Sequence, residues 1–528
     1  MRPSVLVASL LPSLVVAAAS AQWTSDAATN TSIGDGVGEQ VLPKIASRAD
    51  GGAYVGWFDS GSGAYTVRLQ RLDPEGNEMW GHNGILVSAN AQQTSLVDWD
   101  LIADSSGNVV LTFCDIRAGG DLDVYGYRVG SDGTQLWGAN GVAISVNADF
   151  EAAPVVAELS TGDFAFVWGV FPNTGSGAIR MQRVSPAGVT QLAENGVKIG
   201  GLANEKPGFT QIVPSADGSA IVSWVRNTAS FSSPRHVHAQ RVDQNGGHLW
   251  NGGVGNVVIS NQSVPIAYTP KLLADGKGGA LFVWHRSLSN VYSSFVQHLD
   301  VAGTAAFPAN GFEVSTEGTF YRLDPSAEIN PATGDITVIF RKHNTAQSQR
   351  GLYAQRISAR GVRLWGAGGK ELRPVDGVDE LFPRIQLVDG DALVTWFESP
   401  TVLNSTVVGA RLDSNGDFAW SPSVIDVSST VSAKDDPEIA RGTGDSLLVV
   451  WSDERNGPAD SIGQRMNADG TLGNQPEGLL GDINGDNVVD GADLGLLLGG
   501  WGQPGASDLN NDGTTDGADL AVLLGAWS

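Results

Sequence analysis

An apolar run ending on a large aromatic recurs eight times along the chain, at Trp57, Phe113, Trp168, Trp224, Trp284, Phe340, Trp396 and Trp451, with spacings of 56, 55, 56, 60, 56, 56 and 55. A period of this length implies an array of like units, because so short a unit buries too little apolar surface to be stable alone. A Gln-Arg position follows each aromatic and is filled by Arg71, Arg128, Arg183, Arg241, His298, Arg356, Arg411 and Arg465. Five residues further on there is always a glycine: Gly76, Gly133, Gly188, Gly246, Gly303, Gly361, Gly416 and Gly470.

Each unit reads as four short strands. In the first, PKIAS, AYVGWF, TVRLQRL and EMWGHNGILVS are separated by a loop and by the turns RADGG and DPEGN. The runs are rich in β-branched and aromatic residues and bounded by Gly, Asp and Pro, and no helical period competes with them. Four strands per repeat indicate a β-propeller. Trp23 precedes Trp57 by 34 residues, as Trp80 precedes Phe113 by 33, so the chain opens on a fourth strand without its first three. The eighth unit runs into NQPEGLL and lacks that strand. The expected fold is therefore all-β over residues 22–478, an eight-bladed propeller closed by an N-terminal strand. The repeated glycine should supply a positive φ in the turn between third and fourth strands. The second-to-third loops and the fourth-to-first connections vary most. They share one face, which is the candidate binding surface.

The first residues, MRPSVLVASLLPSLVVAAASA, join a positive start to an apolar stretch and an A-x-A cleavage signal. Residues 1–21 are expected to be a secretory signal peptide, which makes the protein extracellular or attached to a cell surface. No later stretch approaches the ~20 apolar residues of a spanning helix. The balance of 32 basic and 57 acidic residues, a net charge of −25, disfavours nucleic acid and anionic membranes as partners. The one cysteine, Cys114, rules out an intrachain disulfide framework and reads as a small buried hydrophobe.

The last segment contains two copies of a loop, 26 residues apart, with eight Asp and no Lys or Arg across residues 482–528. Calcium takes six to eight oxygens, and a twelve-residue loop offers them at positions 1, 3, 5, 7, 9 and 12. In the first copy these are Asp482, Asn484, Asp486, the carbonyl of Val488, Asp490 and Asp493. In the second they are Asp508, Asn510, Asp512, the carbonyl of Thr514, Asp516 and Asp519. Position 6, where such a loop turns sharply, is Asn487 in one copy and Gly513 in the other. A leucine-rich stretch follows each loop and reads as a short helix ending at Trp501 or Trp527. The pattern resembles the dockerin family, with Asp rather than Glu at position 12. The resemblance implies a small α-helical domain over residues 479–528 that binds two Ca2+ ions and attaches its protein to a cohesin-like domain or another surface component. Loop positions 10 and 11, often used in partner recognition, are Gly-Ala in both copies here.

The blades carry no nucleophile elbow, zinc-protease motif, P-loop or dinucleotide fingerprint. The repeated arginines read as scaffold, with Asp115 and Asp453 as their expected partners. His236 and His238 share one side of a strand without an evident third metal ligand. Asp121, Asp123, Asp149 and Glu151 form an acidic group in the second blade, read as a solvated loop. No catalytic residue is assigned. Phe231, Tyr292, His285 and Arg341, expected on second-to-third loops, are candidates for contact with sugars. The favoured function is a propeller that binds or scaffolds an extracellular polymer, with a carbohydrate as the expected class, tethered to a cell surface or extracellular complex through the calcium loops. The alternative is a polysaccharide-active enzyme, a glycoside hydrolase or lyase, on the same scaffold.

Overall fold

The computed structural model describes residues 22–92, 98–227, 233–289, 291–401, 404–474, 481–484, 488–510 and 513–527. The expected signal peptide lies outside the described residues, as do Phe231, Asp486, Asn487 and Asp512. The strands form eight four-stranded antiparallel sheets, one for each repeat. Blade one is typical, with strands Gln40–Ser47, Ala53–Asp59, Tyr65–Leu72 and Ile85–Gln92 paired in chain order. The eighth sheet draws on distant parts of the chain. Lys434–Arg441, Leu447–Asp453 and Asp460–Met466 are joined at the outer edge by Thr31–Gly34, with Thr31 opposite Gly463.

The aromatic anchors explain why the sheets stack. All eight are at most 1% exposed. Each belongs to an apolar cluster shared with the preceding blade: Trp168 lies among Val110, Cys114 and Val124, and Trp284 among Val225, Val237 and Trp250. Trp57 packs with Leu448 and Val450 of blade eight, beside Trp23 and Ile33. Truncating such an indole typically costs about 3–5 kcal/mol.

A second seam runs around the rim. All eight turn glycines have positive φ, between 75° and 91°. At Gly188 and Gly303 a Cβ would come within 2.7 Å of Trp137 and Trp250 of the preceding blade, so these turns need glycine on both counts. The same indoles donate to carbonyls of the next turn, Trp137 to Pro186 and Trp250 to Val301, each at 3.0 Å.

The repeated arginines belong to this seam, but not with the expected partners. Arg128, Arg183, Arg356 and Arg411 pair with Asp104, Asp163, Asp335 and Asp391 of their own blades. Several also reach the next blade: Arg128 donates to the Pro186 carbonyl, Arg411 to that of Ala468, and Arg465 of blade eight to that of Pro74 in blade one. Asp115 and Asp453 instead hold Arg117 and Arg455. Antiparallel register is the reason. Arg128 lies opposite Val110, near the start of the second strand, whereas Asp115 ends that strand.

The tail contributes two nine-residue helices, Gly491–Gly499 and Gly517–Gly525. Asp490 and Asp516 cap them, each in a reciprocal capping box with the Asp three residues on. Val489, Leu497 and Leu523 form their small buried core.

A chain starting at residue 35 should melt below one starting at residue 22 and be cleaved by protease near Asp460–Met466, because the outer edge of the eighth sheet is then unpaired. Equal melting and equal protease resistance would show that Thr31–Gly34 and Trp23 contribute nothing to the eighth blade.

Candidate functional site

The innermost strand of every blade brings one residue to the same level. It lies opposite the residue just before the anchor, and around the ring it is Lys44, Asp100, Val155, Gln211, Lys271, Ser326, Arg384 and Glu438. All except Ser326 line one axial cavity of about 480 Å³. Eight equivalent positions thus hold three cations, two acids and three neutral side chains, where the neighbouring columns of the repeat hold much the same residue throughout.

The backbone leading into this ring is irregular in a repeated way. In six blades the residue two positions earlier has positive φ although it is not glycine: Leu42, Ala153, Phe209, Asp324, Phe382 and Asp436, between 48° and 57°. The pairing register slips at each of these points. These are β-bulges, which bend a strand and re-aim its side chains, and left-handed Leu and Phe are strained. Such strain concentrates at functional sites. A proline precedes the ring residue in six blades, at Pro43, Pro154, Pro270, Pro325, Pro383 and Pro437. Proline suits a bulge because it has no N–H to donate to the ladder. That proline column is the sequence signal that marks the axial residues.

Two further cavities adjoin the ring, lined by residues at the starts of the inner strands. The larger, about 670 Å³, is mainly apolar and includes Trp99, Phe150, Phe171 and Phe209, with Lys206 and Gln211. The smaller, about 190 Å³, includes Tyr268, Lys271, Asp324, Arg341, Phe382 and Arg384. Phe150 and Phe382 are the exposed phenylalanines among the described residues, and each lines one of these cavities.

Charge in the ring is unevenly satisfied. Lys44 pairs with Asp98 at 2.9 Å and Glu438 at 3.2 Å. Burial opposes its charge, but the two acids outweigh it and raise its pKa. Among the described residues Lys271 has no such pair: its Nζ donates to Ser326 Oγ at 3.3 Å, and burial with Arg384 nearby brings it down to about 7. Burial, with Asp435 beside it, pushes Asp436 up to about 7. Glu380, buried at the start of blade seven, is raised to about 8 by burial and by Asp376.

Of the residues expected to touch sugars, three lie here but on strands rather than loops. His285 and Arg341 are in second strands and Tyr292 in a third. His285 is 4% exposed, lies with its ring centre 4.1 Å from that of Tyr268 and tilted by 49°, and accepts from the Asp324 N–H through Nδ1 at 3.1 Å. Burial drops its pKa to about 4, so it is neutral at physiological pH. Arg341 is tied to Asp324 at 2.6 Å and also to Asp379. The second and third strands of blade five and the second strand of blade six continue past the expected loop starts and take up these residues.

The acidic group of blade two is also not a solvated loop. Glu151 is buried and accepts from Trp168 Nε1 at 3.0 Å, Ser145 Oγ at 2.6 Å and Asn147 Nδ2 at 2.7 Å. Asp123 is buried and accepts from the Asn147 N–H. Burial of the blade-three anchor recruits Glu151, because a buried indole N–H needs an acceptor. Cys114 is buried against the Glu151 carbonyl. His238 is buried beside Trp224, and among the described residues no third ligand joins it and His236.

In the tail, both carboxylate oxygens of Asp493 accept backbone N–H groups, Oδ2 from Asp490 and Oδ1 from Ile483 and Asn484. Asp519 repeats this with Asp516 and Asn510. These bonds hold both carboxyls below the usual range. Gly513 has φ 99° and donates its N–H to Asp508 Oδ2 at 2.8 Å. Among the described residues no three His, Cys, Asp or Glu side chains converge as a metal-binding group.

No family model and no curated protein matches the chain. Among solved structures, similar ones include an ulvan lyase of polysaccharide lyase family PL25 (10% identity, 85% of this chain and 97% of that one, TM-score 0.42). Polysaccharide lyase Uly1 follows the same pattern (11%, 81% and 90%, TM-score 0.37). So does the GH93 α-L-arabinofuranosidase of Fusarium graminearum (11%, 48% and 80%, TM-score 0.32). Likeness at this level transfers neither substrate nor catalytic residues.

Glu380 gives the site a pH signature. An acid whose folded pKa is raised stabilises the fold below its unfolded value, near 4.5, and that stability is lost as pH rises through about 8. Glu380→Gln should flatten the fall in denaturation midpoint between these limits. An unchanged slope would mean that Glu380 ionises normally.

Proposed function

We propose that the propeller binds an extracellular carbohydrate polymer across the axial end where the inner strands begin. The observation that carries this reading is the position of Phe150 and Phe382, exposed beside a polar axial cavity. Sugars are bound by such a combination, aromatic faces against C–H groups and a few fixed polar groups for the hydroxyls. Bulged, strained backbone at the same level supports a binding role for this end of the ring.

Cleavage of the bound polymer is a second reading, favoured by the cluster behind the smaller cavity. There a neutral His285 sits between Tyr268 and Asp324, with Arg341 alongside. With Nδ1 occupied, Nε2 carries the proton, so the neutral imidazole can donate a hydrogen bond to an oxyanion that develops on the polymer during cleavage. Binding is preferred because Arg341 and Asp324 already neutralise each other.

The tail is proposed to bind two Ca2+ ions and to tether the secreted protein through a cohesin-like domain or another surface component. Its support is the doubled set of hard oxygen ligands, the glycine at the sharp turn of the second loop, and the position-12 carboxylates held on helix starts. Bound calcium would offset the mutual repulsion of the eight carboxylates and order the loops.

Gels containing neutral and acidic polysaccharides, run with the chain from residue 22, test the first two readings. Phe150→Ala and Phe382→Ala should each weaken retention about three- to tenfold, in line with the ~0.5–1.5 kcal/mol of an aromatic contact. Retention without new reducing ends supports binding. Reducing ends released by the parent and lost in His285→Ala would establish cleavage, and no retention on any polymer would remove both readings.

For the tail, calorimetry of the same chain should show two calcium sites, with Asp508→Ala/Asp519→Ala leaving one. Melting temperature should rise with free calcium. Absence of calcium-dependent heat would overturn the assignment.

A further inference from the structure

We propose that Lys271 and Arg384 form a receptor for a negatively charged group, a carboxylate or a sulfate, on the polymer bound at the axial end. The inference rests on the binding reading above and specifies its ligand as an acidic polysaccharide. Lys271 and Arg384 are the two residues shared by the axial cavity and the smaller cavity that holds Phe382. A charged group lying between an aromatic platform and the axis would therefore meet both.

Their neighbours leave these two cations under-neutralised. Of the nearby acids, Glu438 is engaged by Lys44 at 3.2 Å and reaches Arg384 only at 4.0 Å. Asp324 is held by Arg341 at 2.6 Å. Asp98 holds Lys44, and Asp100 accepts from the Val156 and Leu101 N–H groups. Among the described residues no carboxylate lies within ion-pair distance of Lys271, and the Arg384 side chain otherwise donates to the Pro383 carbonyl at 3.4 Å. Gln211 and Val155 face the same cavity without charge. A guanidinium has five N–H donors in a fork suited to planar or tetrahedral oxyanions, so most of this one's capacity is unspent. In a chain of net charge −25, two adjacent half-buried cations, one without an ion-pair partner among the described residues and one with only a long contact to the shared Glu438, are out of keeping with their surroundings unless an anion completes them.

The pH dependence follows from the same neighbours. Lys271 is brought to about 7 by burial and by Arg384, against the opposing pull of Glu438 and Asp324. It is charged below that value and loses charge above it. Anion binding should therefore be strong near pH 6 and weaken through pH 8.

The experiment is retention of the chain from residue 22 in gels containing hydroxyethylcellulose, carboxymethylcellulose or dextran sulfate, at pH 6 and pH 8. The expected result is retention on an anionic gel at least tenfold above that on the neutral one, falling by pH 8. The carboxymethyl and sulfate arms tell which oxyanion is taken. Lys271→Met and Arg384→Gln should each reduce that retention about tenfold, and Arg360→Gln, on an exposed turn, should leave it unchanged. Lys271→Arg should keep retention and abolish its fall between pH 6 and 8, which separates loss of charge from loss of fold. Equal retention on neutral and anionic gels would overturn the receptor and leave the binding reading standing. No retention on any gel would overturn both.

Discussion

The wedge of one aromatic side chain between each pair of neighbouring blades is the interaction on which the rest of the molecule depends. A four-stranded sheet of this size has two faces to cover and no helices to cover them. Each anchor leaves its own sheet and enters the apolar cluster of the preceding one, from Phe113 between blades one and two to Trp57 between blades eight and one. Eight such contacts turn marginal sheets into one structure. The spacing of the anchors varies only where the second-to-third loops or the fourth-to-first connections change length, because a shift within the strands would move the wedge out of its neighbour.

The rim is fastened by different chemistry. There the turn glycine admits the indole of the preceding blade, and the repeated arginine ties its own first turn to the next blade's carbonyls. These contacts are polar and half-exposed, so each contributes less than a buried anchor, but they fix how far each blade turns against the next. With both seams carried by repeated residues, the inner strands are free to vary. That freedom is visible at the axis, where lysine, arginine, acid, amide and valine occupy equivalent sites.

Much of the candidate site was hidden for a related reason. The first strands look like irregular edges in the sequence, since the bulges interrupt their alternation, and the prolines before Lys44, Lys271 and Arg384 read as strand breakers. His285 and Arg341 directly follow their anchors, where the sequence suggests a surface loop, but the strand continues past the anchor and holds both. Glu151 shows the converse error: it reads as part of a solvated acidic loop, and only the pairing of its strand with that of Trp168, whose indole N–H it accepts, explains its burial.

The sequence by itself determined the number of blades, the four strands in each, the anchors that join them and the glycines of the third turn, because all of these are local patterns repeated at a fixed offset. It also set out the doubled loop of the tail, whose ligand types follow one another along the chain. Tertiary structure alone decided what meets at the axis. Lys271 and Arg384 are 113 residues apart and Lys44 lies further still, and no periodicity along the chain says which of their charges are cancelled. That depends on distances across a ring, where an ion pair at 3 Å and a cation without an acid differ only in how eight inner strands are turned toward one another.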